Sequence, residues 1–440
     1  MSLNGRILRL AGPAILTNIT IPLLGLCDTA IAGHLGSAEY LAAIALGSMM
    51  LNVVYWGFGF LRAGTTGLTA NSFGADNGPQ SRDILKKSMI LAAIVAVMLL
   101  ILREPMLCLL LEITRPAPEV AAFASKYFNI CVWGAPAQLA IMAATGWFIG
   151  MQTTAMPMVV SISTNVLNIL LSLLLVFPLG LGFEGVAYGT LTAGWCGLVV
   201  AVLAIRPLWE KTKGMRTKEG SPRKVTLSRM FSVNSNLFLR SLLMIAVTLA
   251  MTTFGARIGT VALAANTVIM QFFLFFSYFM DGFAFAAEAL VGRCQGEGSG
   301  SQMRLTVRAL LRWSLAMAVI FLLIYAAAGV PIANLLTDAQ DVRDVVASLR
   351  IWIVLLPPLT VAAFIFDGIF IGITRVRSMM WSTLAGASIF FLISLTTPSG
   401  NMYYRENILW LAFESYLVAR GGLLSIIYFA QHSRKLAKNG

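Results

Sequence analysis

Apolar residues run along this chain in long unbroken blocks, separated by short polar stretches, and not in the mixed pattern of a soluble fold. Twelve blocks are long enough to cross the ~30 Å hydrocarbon core of a bilayer as helices. They are residues 7–33, 40–73, 84–102, 121–151, 156–177 and 183–205, then 230–255, 261–292, 309–329, 345–372, 379–395 and 408–430. Within lipid every backbone polar group needs an internal partner, so segments of this length and pattern predict helices. The expected fold class is an all-α polytopic membrane protein with twelve transmembrane helices.

The second half echoes the first at a nearly constant offset of 222 residues: Gly33 aligns with Gly255, Gly74 with Gly296 and Pro136 with Pro358. GWFIG at 146–150 aligns in the same way with GIFIG at 368–372. Glycine and proline are the informative matches, because they mark close helix contacts and breaks in the backbone ladder. Six spans per half bring the chain back to its starting side. The halves are therefore expected to be related by an axis along the membrane normal, as two lobes that rock about a site near the midplane. The expected division is a first lobe at 1–206 (helices 1–6), a basic cytoplasmic linker at 207–229 and a second lobe at 230–440 (helices 7–12).

Composition agrees with this pattern. The 440 residues are 58% hydrophobic and only 12% charged, against about 25% charged in soluble domains. A net charge of +13 suggests nucleic acid at first, but its placement excludes that reading. Arg6, Arg9, Arg82, Lys86, Lys87, Arg293, Arg304, Arg308, Arg312, Arg375, Arg377, Arg434, Lys435 and Lys438 fall on one side of the twelve-span map. So does 206–229, with Lys211, Lys213, Arg216, Lys218, Arg223 and Lys224. The opposite side carries few basic residues, such as Arg103, Arg115, Arg257 and Arg405, and more acids, among them Glu112, Glu119, Asp338, Asp341 and Asp344. By the positive-inside rule both termini and the central loop are cytoplasmic. The short basic segment before Ile7 has no small-residue cleavage pattern, so the first block reads as a retained helix. Cys27, Cys108, Cys131, Cys196 and Cys294 are scattered, which suggests neither a metal site nor a disulfide framework.

One carboxylate stands out. Asp28 lies inside an apolar block, where a charge near the bilayer centre costs about 2.5–3.5 kcal/mol on insertion scales. It reads either as a hydrogen bonder between helices or as a group that binds and releases a proton or cation during transport. Pro22 removes the hydrogen bond to the Asn18 carbonyl and Gly25 follows, so this pair is the expected hinge of the first helix. In the fifth span Ser161, Asn165, Asn168 and Ser172 are spaced four, three and four apart, which puts them on one helical face. Depth along the spans lets Asp28 meet Asn168, Ser172 and Thr190, with Tyr188 and Thr145 as further candidates for a polar substrate pocket. At the repeat offset Asp28 aligns with Ala250, while Asp281, Glu288 and Asp367 align with Gly59, Thr66 and Thr145. The second-lobe charges, with Arg240 as partner for Asp281 and Glu288 and with Glu414 beside Arg420, read mainly as structural ion pairs. The 21 methionines and 26 phenylalanines suit a wall that accepts varied apolar ligands, although most serve core or lipid contacts.

Several stretches resemble a known family, the multidrug and toxic compound extrusion (MATE) transporters, in particular the DinF-like branch. They are NITIPLLGLCDTAIAGHLG at 18–36, TTGLTANSFGADN at 65–77, TNVLNILLS at 164–172, FMDGFAFAAEA at 279–289 and FDGIFIGITR at 366–375. The resemblance covers nearly the whole chain. It implies a V-shaped pair of six-helix bundles around a central cavity, in a bacterial inner (cytoplasmic) membrane. It also implies export of organic cations and amphipathic small molecules in exchange for protons or Na⁺. The family's first-helix aspartate is matched by Asp28. Many members place an aspartate four residues after a fifth-helix asparagine, whereas here Ser172 follows Asn168 at that spacing. That departure weighs against a two-carboxylate mechanism and against Na⁺, because hard cations favour several oxygen ligands, charged ones included.

Other functions fit less well. GLGFEG at 180–185 has a dinucleotide-type glycine spacing but joins two apolar blocks with no preceding strand, so a turn is expected. No Walker A sequence is present, and the only histidines, His34 and His432, lie far apart. An intramembrane enzyme would need a convergent acid, base or metal set. A lipid-linked precursor flippase would need a cavity lined with arginines, for which Arg62 and Arg240 are the candidates in the first eight spans. The expected function is a proton-coupled secondary transporter acting by alternating access, with a Na⁺-coupled exporter and a flippase as alternatives. No cofactor beyond the coupling ion is expected, nor a metal site or nucleic-acid partner, and the chain is expected to act as a monomer in the lipid bilayer.

Overall fold

The computed structural model describes residues 2–215, 225–396 and 400–439. Among these residues every regular element is helical. The first half contains α1 (Leu3–Gly33), α2 (Ala38–Gly57), α3 (Phe60–Gly74), α4 (Gly78–Ile101), α5 (Arg103–Thr114), α6 (Pro118–Cys131), α7 (Ala135–Gly150), α8 (Ala155–Val176) and α9 (Gly182–Lys213). The second half contains α10 (Leu227–Ile258), α11 (Thr260–Gly296), α12 (Gly300–Leu336), α13 (Gln340–Ser348), α14 (Arg350–Gly372), α15 (Val376–Leu395) and α16 (Met402–Asn439). Side-chain caps set several of the starts. Ser37 accepts from the Tyr40 amide, Asn77 from the Gln80 amide at 3.0 Å, and Ser299 from the Gln302 amide, each satisfying a donor the helix itself cannot.

Eleven spans among the described residues have the length and composition to cross a membrane, counting α2 with α3 and α6 with α7. The 31-residue α1 supplies the twelfth, since at ~1.5 Å per residue it is about 46 Å long. The molecule is thus an all-helical polytopic membrane protein. The block pattern left α5 unassigned and ran 345–348, the end of α13, into the tenth block, whereas α13 is a separate helix; both are too short to cross. Helix α9 continues seven residues past residue 206 to Lys213, and α10 opens at Leu227, so the expected linker is shorter than 207–229. Lys211 and Lys213 lie in that last turn of α9, whereas Arg216, Lys218, Arg223 and Lys224 fall outside the described residues. The glycines of GLGFEG form the expected turn, with Gly180 at φ +67 and Gly182 at φ +53, a region other residues rarely adopt.

The chain divides into two compact units. The first comprises Gly12–Met230 with Gly296–Gly298, and the second comprises Met1–Ala11, Phe231–Gln295 and Ser299–Gly440. The opening turns of α1 therefore belong with the second half, where the Trp313 indole donates to Asn4 Oδ1 at 3.2 Å. This departs from the simple split at the linker.

In the first unit, α9 presents Gly185, Gly189, Ala193, Gly197 and Ala201 at every fourth position, all buried. A Cβ at Gly189 would collide with Ser172 and one at Gly197 with Thr164, both on α8. Small residues at this spacing let two helices approach closely in lipid, where apolar burial alone does not drive association. Gly146 and Gly150 of α7 likewise meet Arg62 and Thr69 of α3 with no room for a side chain. The second unit repeats this contact in register: Gly368 of α14 sits on the Ala284 carbonyl of α11, and Gly372 lies 3.0 Å, measured from its ideal Cβ, from the Gly292 nitrogen. Arg62 and Ala284 are themselves related by the repeat offset. One difference separates the copies. α2 and α3 are interrupted at Phe58–Gly59, whereas α11 runs unbroken through the equivalent Met280 and Asp281.

Candidate functional site

In the first unit a polar group assembles around Asp28 from four segments. The α8 face places Asn168, 3% exposed, so that its Nδ2 donates to Thr190 Oγ1 of α9 at 3.1 Å. Thr190 in turn donates to the Val186 carbonyl at 3.0 Å. The hydroxyl of Tyr127 on α6 also reaches Thr190, and it accepts from Ser48 of α2 at 3.2 Å. Gly47 makes room for this ring, because a Cβ there would lie 2.6 Å from Tyr127 Cδ1. Asp28 is close enough to Tyr127 and Cys131 to interact electrostatically with both.

Asp28 itself is half-buried. Its Oδ1 is buried without a hydrogen-bond partner, and among the described residues no basic side chain pairs with it. Asn168 Oδ1 and Ser172 Oγ are also buried without partners. Three unsatisfied oxygens in one lobe need an explanation, since an orphaned buried polar group typically costs about 1–3 kcal/mol. A hydrogen-bond donor or a cation reaching the half-buried Asp28 would satisfy its Oδ1.

The expected residues do not all join this group. Asn165 reaches α1 instead, donating to Thr20 Oγ1 at 3.4 Å. Tyr188 is 40% exposed and lies near Lys126, away from the Asn168 pair. Thr145 is half-buried on α7 and makes no hydrogen bond to the group. Helix α1 runs continuously through Pro13 and Pro22, with Thr17 Oγ1 donating to the Pro13 carbonyl and Thr29 Oγ1 to the Gly25 carbonyl, each at 2.8 Å. Pro22 and Gly25 are exposed, and nothing lies within 4 Å of a Cβ built on Gly25. Ser48, Thr20 and Tyr127 were not anticipated. Their sequence signal was slight, a Gly-Ser pair at 47–48 inside an apolar block.

The second unit is built differently. Arg240 of α10 and Arg420 of α16 both donate to Asp367 Oδ2 of α14, and Arg420 also donates to the Tyr416 hydroxyl at 3.2 Å. Three helices are thereby tied at one carboxylate. The expected partner of Arg240 was Asp281 or Glu288; Asp367 takes it, with Glu288 within electrostatic reach. Asp281 interacts with Tyr278 on its own helix. The expected Glu414–Arg420 pairing is absent. Residues six apart are rotated by about 240° around a helix, so Arg420 faces Asp367 and Glu414 does not share that direction.

Two lobes of six membrane-crossing helices with a shared glycine skeleton, and buried acids without a basic partner, define the class of secondary transporters built from parallel repeats. The MatE family model matches residues 13–174 and 237–396, once in each half. DNA damage-inducible protein F of Escherichia coli (strain K12) is 35% identical over 423 residues, covering 95% of this chain and 90% of that protein. Multidrug resistance protein MdtK of Edwardsiella ictaluri is 24% identical over 402 residues, 89% of this chain and 87% of that protein. The crystal structure of the Vibrio cholerae MATE transporter VcmN in its bent form shares the fold with a TM-score of 0.82 at 20% identity, covering 98% of this chain and 97% of that one. The chain belongs to the MatE family, whose members are secondary transporters and not enzymes.

Proposed function

We propose that this protein is a proton-coupled antiporter that exports cationic or amphipathic small molecules from the cytoplasm, with both termini on the cytoplasmic side of a bacterial inner membrane. One observation carries the reading: Asp28 keeps a buried, partnerless carboxylate oxygen beside a hydroxyl and amide network, with no basic side chain to hold it ionised. Such an acid is free to alternate between charged and neutral forms. Ionised, it attracts a cationic substrate. Neutralised by a proton from outside, it no longer favours the cation, and α1 is free to bend near Pro22 and Gly25, where the open space around Gly25 imposes no packing cost.

The exchange of one proton for one monovalent cation moves no net charge. Only the pH gradient then drives it, at about 1.4 kcal/mol per pH unit. The carboxylate Asp28 Oδ1 and the amide oxygen Asn168 Oδ1, both buried without a partner, are of the oxygen type that binds hard cations, which supports Na⁺ as a second reading. Purified protein in weakly buffered detergent tests both. Adding a cationic drug should release at least one proton per bound drug by the arithmetic of this exchange, and Asp28→Asn should remove the proton that Asp28 supplies while leaving the protein folded. Drug binding that releases no proton but is displaced by Na⁺ would replace the first reading with the second.

A further inference from the structure

Helix α16 carries two carboxylates that the Asp28 scheme does not use. Glu406 is 0% exposed and Glu414 2% exposed, and all four of their oxygens are buried without a hydrogen bond. Both lie on the face of Trp410, one helical repeat of four residues to either side. The Trp410 indole donates to Asn266 Oδ1 of α11 at 2.6 Å. Asn266 is 5% exposed, and its amide is turned toward Glu406 without closing a bond, so its Nδ2 is also unsatisfied. The residue before Glu406, Arg405, lines a cavity of about 210 Å³ together with Phe254, Arg257, Ile258, Ser394, Leu395 and Leu409, and Glu406 lies behind that wall. Arg405, adjacent on α16, is close enough to interact electrostatically with Glu406 without pairing with it, and the Ser394 hydroxyl, buried without a partner, is in the cavity wall. Unsatisfied polar atoms next to a space of this size describe a place for water.

Glu414 lies eight residues further along α16, about 12 Å deeper by helical rise. Arg229 and Arg257 of α10, Arg293 of α11 and Arg350 of α14 lie in the end turns of their helices, and the charged groups between those ends are committed elsewhere. Arg240 of α10, Asp367 of α14 and Arg420 of α16 bind one another, Glu288 of α11 lies near Arg240, and Asp281 of α11 interacts with Tyr278. Helix α15 offers only Arg377, in its first turn. No ion pair among the described residues involves Glu414. In this state of the protein a carboxylate so enclosed holds its proton, because an isolated buried charge costs far more than a buried neutral acid, and release requires water or a donor to reach it.

We propose that Glu406 and Glu414 form a second proton-binding station, in the second lobe, with Glu406 exchanging protons with water in the cavity and Glu414 holding one deeper in the bundle. At each site an O–H bond forms as a proton leaves water and breaks as it returns, and nothing is oxidised or reduced. The station rests on the antiport reading and its orientation, which puts the Met402 end of α16 outside. It makes transport of a monovalent cation electrogenic, because each further proton adds ~2.3 kcal/mol per 100 mV.

Two measurements separate this station from Asp28. In infrared spectra of the purified protein at neutral pH, E414Q should remove one component of the protonated-carboxyl C=O stretch. E406Q should remove a second, which exchanges rapidly with deuterium, while D28N should leave both in place. Should E414Q fail to fold, E414D should retain its component at a shifted frequency. A C=O stretch that neither E406Q nor E414Q alters would overturn the proposal, whatever D28N does to transport. In proteoliposomes the proton-to-substrate ratio should fall from two to one in E414Q and the voltage dependence should vanish. An unchanged ratio in E414Q would also overturn it.

Discussion

The two lobes share a skeleton and differ in how they treat charge. In both, the same glycine pair lets the same two helices meet at backbone distance: Gly146 and Gly150 in the first, Gly368 and Gly372 in the second. In the first lobe the central acid, Asp28, has neutral hydroxyl and amide neighbours and no counter-ion. In the second, Asp367 is locked between two arginines. The lesson is that a duplicated packing frame leaves the interior chemistry of each copy free to diverge. A half-buried acid without a partner, such as Asp28, can change its charge without breaking an ion pair, whereas an acid holding two guanidiniums cannot.

The comparison is sharpest where that lock is broken. Asp367→Asn leaves two buried guanidiniums without a carboxylate and should cost about 3–5 kcal/mol of stability, read as a large fall in thermal unfolding temperature in detergent. Asp28→Asn, which removes no ion pair, should leave the unfolding temperature nearly unchanged. Equal losses in the two variants would erase the distinction between the lobes. Next in size, Gly146→Ala and Gly368→Ala each force a methyl onto a facing carbonyl, that of Arg62 or Ala284. Each should cost about 1–3 kcal/mol, and the repeat predicts similar losses, so a loss confined to one lobe would break the equivalence. Smallest, Tyr127→Phe removes the hydroxyl that links Ser48 to Thr190. Its stability cost should be ~0.6 kcal/mol, the average for hydrogen bonds between membrane helices. Its clearer signature should be a shifted pH dependence of transport, with no equivalent effect from Tyr416→Phe in the second lobe.

These differences mark what could be read from the sequence. The spans, the repeat and its glycine contacts were legible, because a glycine registers close approach whatever lies opposite and an apolar block needs no partner to be recognised. Asp28 stood out for the same reason, as a lone charge in an apolar run. Partnerships were not legible. Asp367 meets Arg420 and Arg240 across three helices, while the nearer Glu414 and Arg420 point in different directions around α16. Tyr127 was overlooked because an aromatic residue in an apolar helix looks like core until Ser48 and Thr190 are brought to its hydroxyl. The hinge at Pro22 was visible as a weakness in the backbone, yet α1 runs continuously through it here.

The most direct test of the account is drug efflux from proteoliposomes under an imposed pH gradient, comparing the natural protein with Asp28→Asn and Asp28→Glu. Asp28→Asn should lose gradient-driven efflux and Asp28→Glu should retain part of it, because only the latter can still exchange a proton. Undiminished pH-driven efflux by Asp28→Asn would contradict the account.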